Sequence, residues 1–306
     1  MAVIGVGHLG RHHARILAAT EGVELTAIVD INQQRADAVA QEFGGRSHTD
    51  WRDVVDEVDA ATVAVPTAVH ASIAEPLLER GVHVLVEKPM ATTTGEADRL
   101  IAVAAARGVT LAVGHSERFN PAVAQARPFI RDPRFIEVHR LGSFPERSLD
   151  IDVVFDLMIH DLDVVLDVVG SDVTAVEAVG VPVLTPRVDI ANVRLRFANG
   201  CIVNLTASRI SRDRVRKIRF FQRDSYVSID YAAQEVEMYR LVPRAGQMPA
   251  IEGGKLEVAR EEPLKRELDD FLDAIRHRRP PVVTAHQGRA ALALAARVVE
   301  RMGMTA

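Results

Sequence analysis

The chain opens Met1-Ala2-Val3-Ile4-Gly5-Val6-Gly7-His8-Leu9-Gly10. The apolar run Ala2–Val6 reads as a buried strand, and Leu9–Ala19 as an amphipathic helix with Ile16 and Leu17 inward. Between them, Gly5, Gly7 and Gly10 stand at G-x-G-x-x-G spacing. Each glycine answers a different steric demand. Gly5 permits a tight turn, Gly7 lets a pyrophosphate reach the backbone, and Gly10 lets helix and strand pack closely. The amides of His8, Leu9 and Gly10, with the helix dipole, would hold the phosphates. A strand, this turn and a helix in that order constrain the chain to begin a dinucleotide-binding sheet.

The following residues keep the alternation. Leu25–Val29, Ala60–Val65, the run from Val82 and Thr110–Val113 read as strands. Gln33–Phe43, Ser72–Arg80 and Thr94–Arg107 read as helices, the last with Thr92–Thr94 able to cap it and Gly108 just past its end. Asp50–Val58 reads as a short helix or turn. Strict strand–helix alternation implies right-handed crossovers and a doubly wound parallel sheet over residues 1–120. Asp30 ends the second of these strands, 20 residues past Gly10. A carboxylate there accepts from ribose hydroxyls and repels a 2′-phosphate, which favours NAD over NADP. Asp30 can equally cap the helix that follows, and Arg35 lies close enough to soften the preference. Pro66, Thr67 and His70 fall at another carboxyl-end loop on the same sheet edge. His70 could bond near a cofactor or simply begin its helix.

Val82-His-Val-Leu-Val-Glu-Lys-Pro-Met90 is a further buried strand, ending in Glu87, Lys88 and Pro89. Ligands of open parallel sheets bind beyond the carboxyl ends of the strands. A lysine there can be desolvated and fitted for proton transfer. Many strands also end in a solvated lysine, so these residues alone leave both readings open.

Ordinary hydrophobic (48%) and charged (26%) content excludes disorder across 306 residues, enough for two domains. A net charge of -5 with no basic tail argues against a nucleic-acid partner. The single cysteine, Cys201, excludes an internal disulfide framework and suits a reducing compartment. No leader pattern and no membrane-length apolar run is visible, so a cytoplasmic protein is expected.

Past Gly114 the chain reads His115-Ser-Glu-Arg118-Phe-Asn120-Pro121. Arg118 suits a phosphate or carboxylate and Asn120 a sugar hydroxyl, with an ion pair and an Asn-Pro turn as the plain alternatives. Asp150–Gly170 reads as a helix in which Asp156 and His160 share a face. A carboxylate one turn from an imidazole orients it for acid/base work on a hydroxyl. Asp163 and Asp167 continue that face, so a solvated acidic stripe and a core histidine both compete with that reading. A metal site is disfavoured for lack of a clear ligand set. From Val173 on, strands alternate without helices: Ala175–Val181, Ile190–Phe197, Ile202–Ala207, Lys217–Gln222, Tyr226–Asp230 and Glu235–Leu241. They imply an antiparallel sheet of five to seven strands in an α+β domain over 121–306. Lys265–Arg276 and Gly288–Arg301 close the chain as helices able to pack back on the first domain. One sheet face would stay open, and an open face with apolar patches invites a second copy, giving a homo-oligomer, a dimer or tetramer.

Together these residues resemble the Gfo/Idh/MocA family of sugar and cyclitol oxidoreductases, most specifically in Glu87-Lys88-Pro89 after a sheet strand and in Asp156 four residues before His160. The resemblance implies a Rossmann domain followed by an open-faced antiparallel domain. It also implies that Lys88, Asp156 and His160 serve catalysis beside the nicotinamide, with Lys88 or His160 taking the hydroxyl proton. Glu117–Pro121 and Asp156–Asp163 further resemble bacterial UDP-N-acetylglucosamine 3-dehydrogenases, which make a 3-keto nucleotide sugar for transamination on the route to lipid A sugars. That likeness implies substrate contacts from Lys88, Arg118, Asn120, Asp156 and His160. It implies cofactor contacts from Gly5, Gly7, His8, Leu9, Gly10, Asp30, Pro66, Thr67, His70, Glu87 and Lys88. An inositol or other sugar dehydrogenase, and a non-catalytic NAD-dependent sensor, remain the alternatives.

Overall fold

A computed structural model describes residues 1–144, 151–244 and 248–303. The chain divides into two compact units: Met1–His115 with Leu264–Leu292, and Ser116–Pro263 with the chain from Ala293.

In the first unit the described strands are β1 (Ala2–Ile4), β2 (Ala27–Val29), β3 (Arg46–His48), β4 (Ala60–Val63), β5 (His83–Glu87) and β6 (Leu111–Gly114). Helices α1 (His8–Ala18), α2 (Gln33–Phe43), α3 (His70–Glu79) and α4 (Thr94–Arg107) connect them. The sheet is parallel, in the order β3-β2-β1-β4-β5-β6. Such a sheet is covered on both faces, and β1, β2 and β4 are accordingly apolar or small throughout and buried. The order reverses between β1 and β4, which places a ligand crevice at the carboxyl ends of those strands. Thr93 and Glu96 form a reciprocal capping box on α4, and Gly108 ends it in the left-handed region at φ 66°. The sequence does not announce β3. Arg46-Ser47-His48 has no apolar run, and it is a strand because its backbone completes the edge of β2.

In the second unit α5 (Pro121–Ala126) precedes β7 (Phe135–Leu141), and α6 (Ile159–Val169) follows a π-helical turn at Val154–Met158. Then come β8 (Val173–Val181), β9 (Ile190–Phe197), β10 (Ile202–Ser208), β11 (Val215–Phe221), β12 (Ser225–Asp230), β13 (Glu235–Val242) and β14 (Ala250–Leu256). The strand order is β14-β13-β12-β11-β7-β10-β9-β8, antiparallel except for the parallel pair β7–β10. Eight strands replace the expected five to seven. β7 escapes notice because its third inward position is Arg140, not an apolar residue. β14 escapes because it is exposed and interrupted by Gly253 and Gly254. The expected helix from Asp150 starts later: α6 proper begins at Ile159, and Asp150 itself lies outside the described residues.

One sheet face carries the core, with Ile136, Val138, Val203, Leu205, Ile218 and Phe220 at most 1% exposed. The opposite face mixes polar residues with exposed aliphatics such as Val179, Val181 and Leu241, and carries a row of aromatics on four adjacent strands. Phe135, Phe221, Tyr226 and Tyr239 follow one another with ring centroids 5.5, 5.2 and 6.4 Å apart. Phe221 and Tyr239 are 36% and 40% exposed. The chain closes with α7 (Pro263–His277) and α8 (Ala285–Arg301). Leu264, Leu268 and Phe271 of α7 join the core of the first unit around Val3, Leu17 and Ile28.

Candidate active site

The glycine turn shows all three steric demands. Gly5 has φ +83°, and a Cβ on it would stand 2.6 Å from the carbonyl oxygen of Ala64. A Cβ on Gly10 would stand 1.8 Å from the oxygen of Gly5, so only glycine lets α1 leave the turn this closely. At Gly7 no atom of the described residues lies within 4 Å of the missing Cβ, which leaves room for a ligand at that backbone. Among the described residues no side chain caps α1. Its first amides and its dipole therefore suit an anion. A cleft of about 370 Å³ adjoins the turn, lined by Val6, Gly7, His8, Arg11, Arg35 and Val39 among others.

Asp30 follows β2 directly and is 6% exposed. Its Oδ2 accepts from Val6 N at 3.0 Å and its Oδ1 from Asn32 N at 2.9 Å. Arg35 Nη1 lies 3.2 Å from Oδ2, its side chain half exposed. Asn32, not Asp30, caps α2, accepting from Arg35 N at 3.1 Å. The carboxylate is thus fixed by backbone donors, with a half-exposed cation beside it.

After β4, Pro66 leads into a 3₁₀ turn at Thr67–Val69. His70 is 1% exposed. Its Nδ1 stands 2.8 Å from the oxygen of Pro89 and its Nε2 2.8 Å from that of Val65, so the ring ties the loops after β4 and β5 together. Burial pushes this imidazole below its ordinary pKa, against the pull of the two carbonyls.

Glu87 is the last residue of β5 and 6% exposed. Its Oε1 lies 3.1 Å from His13 Nε2, and its Oε2 accepts from Lys88 N at 3.3 Å. Lys88 follows, half-buried, joined to Pro89 by a cis peptide. Lys88, the glycine turn and Asp30 therefore stand at carboxyl ends of strands of one sheet. His13 was not singled out from the sequence: a histidine two turns into an amphipathic helix has no pattern that marks it.

In the second unit Asp156 lies in the π-helical turn and His160 in the first turn of α6, both half-buried. Single π turns within helices are frequent at functional positions. The acidic residues beyond them do not form a solvated stripe. Asp161 and Asp163 are 1% and 2% exposed. Arg140 from β7 donates to Asp161 at 2.6 and 3.0 Å and to Glu117 at 2.9 Å, and its guanidinium lies 5.1 Å from the ring centre of Tyr231. Burial opposes the charge on Arg140, but Asp161 and Glu117 outweigh it. Arg118, its side chain 7% exposed, lies 2.8 Å from Asp167 and 3.5 Å from both oxygens of Asp163. Burial pushes the Asp163 carboxyl up to about 7, Arg118 opposing and Asp167 adding. Asn120 caps α5, accepting from Ala122 N at 3.1 Å and donating to Tyr231 O at 3.0 Å and Glu117 at 3.2 Å. Arg118 thus braces the helix that carries His160, while Asn120 holds Glu117, which shares Arg140 with Asp161 of that helix. Arg140 and Tyr231 complete that brace, and neither is visible as a partner until the strands are paired. Among the described residues no group of three or more His, Cys, Asp or Glu is arranged to hold a metal. No described helix is long and apolar enough to cross a membrane.

A switch-point glycine turn, an acid just past β2 and a lysine just past β5 fit a dinucleotide-binding oxidoreductase. The model of the oxidoreductase family with an NAD-binding Rossmann fold matches residues 1–115, and that of the GFO/IDH/MocA C-terminal domain matches residues 130–223. The chain belongs to the Gfo/Idh/MocA oxidoreductase family. It is 41% identical over 300 residues to UDP-N-acetylglucosamine 3-dehydrogenase of Acidithiobacillus ferrooxidans, covering 97% of this chain and 95% of that one. A solved structure of that enzyme superposes with a TM-score of 0.91 at 39% identity, over 98% of this chain and 96% of the other. The scyllo-inositol 2-dehydrogenase (NAD(+)) of Bacillus subtilis is 28% identical over 69% of this chain and 67% of its own. A levoglucosan dehydrogenase in complex with NADH and levoglucosan shares the fold, with a TM-score of 0.88 at 21% identity over 99% of this chain and 96% of that one.

Proposed function

We propose that this protein oxidises the C3 hydroxyl of UDP-N-acetylglucosamine to the 3-keto sugar, using NAD. The observation that carries the substrate is the 41% identity, sustained over 97% of the chain, to an enzyme of that name. The inositol dehydrogenase is more distant and matches a shorter part.

The open backbone at Gly7, the uncapped start of α1 and the Asp30 carboxylate fit a dinucleotide. Gly7, His8, Leu9 and Gly10 would hold its phosphates, Asp30 the adenosine ribose, and Pro66 and Thr67 the adjoining loop. NAD is preferred over NADP because Asp30 repels a 2′-phosphate. When bound, the oxidised nicotinamide supplies a hydride acceptor. Lys88 and His160 supply the acid/base chemistry: one takes the C3 hydroxyl proton and the other holds the hydroxyl. Asp156 orients His160, and Arg118 and Asn120 contribute substrate contacts, Arg118 also bracing α6. His70 and Glu87 set the loops after β4 and β5. The 3-keto product is the substrate class that an aminotransferase consumes, as on a route to 3-amino lipid A sugars. The protein acts in the cytoplasm as a homo-oligomer, the aromatic row from Phe135 to Tyr239 being covered by a second copy.

The test is a substrate panel at saturating NAD. UDP-N-acetylglucosamine should give NADH and a product lighter by two hydrogen atoms. Fast turnover of myo-inositol with none of the UDP-sugar would overturn the substrate. NADH binding with no turnover of any sugar would point to a sensor. Light scattering should give a multiple of the chain mass, reduced by Tyr239→Glu.

A further inference from the structure

We propose that His13 is a positioning residue that fixes Lys88 through the buried carboxylate of Glu87. His13 lies on α1, the helix that leaves the glycine turn, and is 0% exposed. Its Nε2 is 3.1 Å from Glu87 Oε1, and its Nδ1 has no hydrogen-bond partner among the described residues. A leucine would fill this place without burying a polar ring. What the imidazole adds is therefore the one hydrogen bond to Glu87, made by the tautomer with its proton on Nε2.

Glu87 is held from two further directions. Its other oxygen accepts the amide of Lys88 at 3.3 Å. Gly114 on β6 is its partner in register. A Cβ on Gly114 would stand 2.8 Å from Glu87 Cδ and 2.9 Å from each carboxylate oxygen. Gly114 lies outside the positive-φ region, so what it provides is space for the carboxylate. Helix α1, strand β5 and strand β6 thus close on one carboxylate, and that carboxylate holds the peptide from which Lys88 projects. Reacting groups tolerate little misplacement: an error of about 1 Å can lower a rate about a hundredfold. His13 matters to turnover only if Lys88 handles the hydroxyl, as proposed above.

Three variants test this in the whole enzyme. His13→Leu keeps the volume and loses the hydrogen bond; His13→Gln keeps a donor near the Nε2 position; Gly114→Ala crowds the carboxylate. His13→Leu should lower kcat about thirtyfold, with KM for the sugar and NADH affinity within about threefold, and His13→Gln should restore most of the loss. Gly114→Ala should behave like His13→Leu, and the double variant should be no worse than the poorer single. Amide hydrogen exchange at Lys88, measured without cofactor, should quicken in His13→Leu and not in His13→Gln. Parent-like kcat and Lys88 exchange in His13→Leu would overturn the proposal. So would equal kcat losses in both His13 variants that track their melting temperatures. Lys88→Ala is run alongside: unchanged turnover there refutes the role of Lys88, while Lys88 exchange still judges the link from His13.

Discussion

The end of β5 and the helix bearing His160 present reactive side chains by different physical means. At β5 the work is done by backbone geometry and a few short contacts. Glu87 hydrogen-bonds the amide of Lys88, His13 braces Glu87, and His70 holds the carbonyls of Val65 and Pro89. Around α6 it is done by buried charge. Arg140 is divided between Asp161 and Glu117, and Arg118 between Asp163 and Asp167. The first arrangement rests on a single buried carboxylate held by short contacts and depends on small displacements. The second tolerates displacement less through geometry than through charge, because a buried ion stripped of its partner is strongly destabilising.

That contrast can be broken or sharpened by four variants. Lys88→Ala should carry the largest effect, a fall in kcat of about a thousandfold or more, the range of acid/base catalysis, with NADH affinity within about threefold. Stopped-flow turnover and fluorescence titration measure the two; a matching loss of NADH affinity would make Lys88 a cofactor ligand instead. Arg140→Met should act on stability before turnover. Leaving Asp161 and Glu117 uncompensated should cost about 3 kcal/mol or more, lowering the melting temperature by roughly 10 °C. A melting temperature like the parent's would show that the charges around α6 are not what holds it.

Asp30→Ala probes the remaining strand end. It should raise the NADP-to-NAD ratio of kcat/KM by about tenfold or more, since the repelling carboxylate goes and Arg35 stays. An unchanged ratio would remove Asp30 from cofactor choice. The smallest effect should come from Asp163→Asn. With its carboxyl pushed up to about 7 by burial, Asp163 binds a proton in the folded chain that the unfolded chain, near 3.8, has released. Stability from this group is therefore present at low pH and lost as pH rises from about 4 to 7. Asp163→Asn should flatten the melting temperature against pH in that window and raise it by roughly 3 °C at pH 8. A parallel pH profile would mean that Arg118 keeps Asp163 ionised throughout.

The sequence made the first arrangement far more legible than the second. Gly5, Gly7 and Gly10 have roles set by sterics within a few residues, and the strand alternation around them repeats at short range. The Thr93–Glu96 box and Gly108 mark the ends of α4 for the same reason. Lys88 could be placed at a strand end, but its brace could not, because His13 is 74 residues from Glu87 in sequence. In the second unit the strands alternate legibly until a charge turns inward. Arg140 hides β7, and its partner Asp161 lies 21 residues away on a helix. Asp163 reads as solvated from helical spacing alone, because nothing local says that Arg118 reaches it across 45 residues. The partners of Arg118 and Asn120 are hidden for the same reason: they are set only when the sheet and α6 come together.

Hydride transfer from C3 of the sugar to NAD can be followed by isotope. UDP-N-acetylglucosamine deuterated at C3 is incubated with the enzyme and NAD, and the NADH is analysed by mass spectrometry. The NADH formed should carry one deuterium, with the 3-keto nucleotide sugar as co-product. NADH without deuterium, or no NADH at all from this substrate, would contradict it.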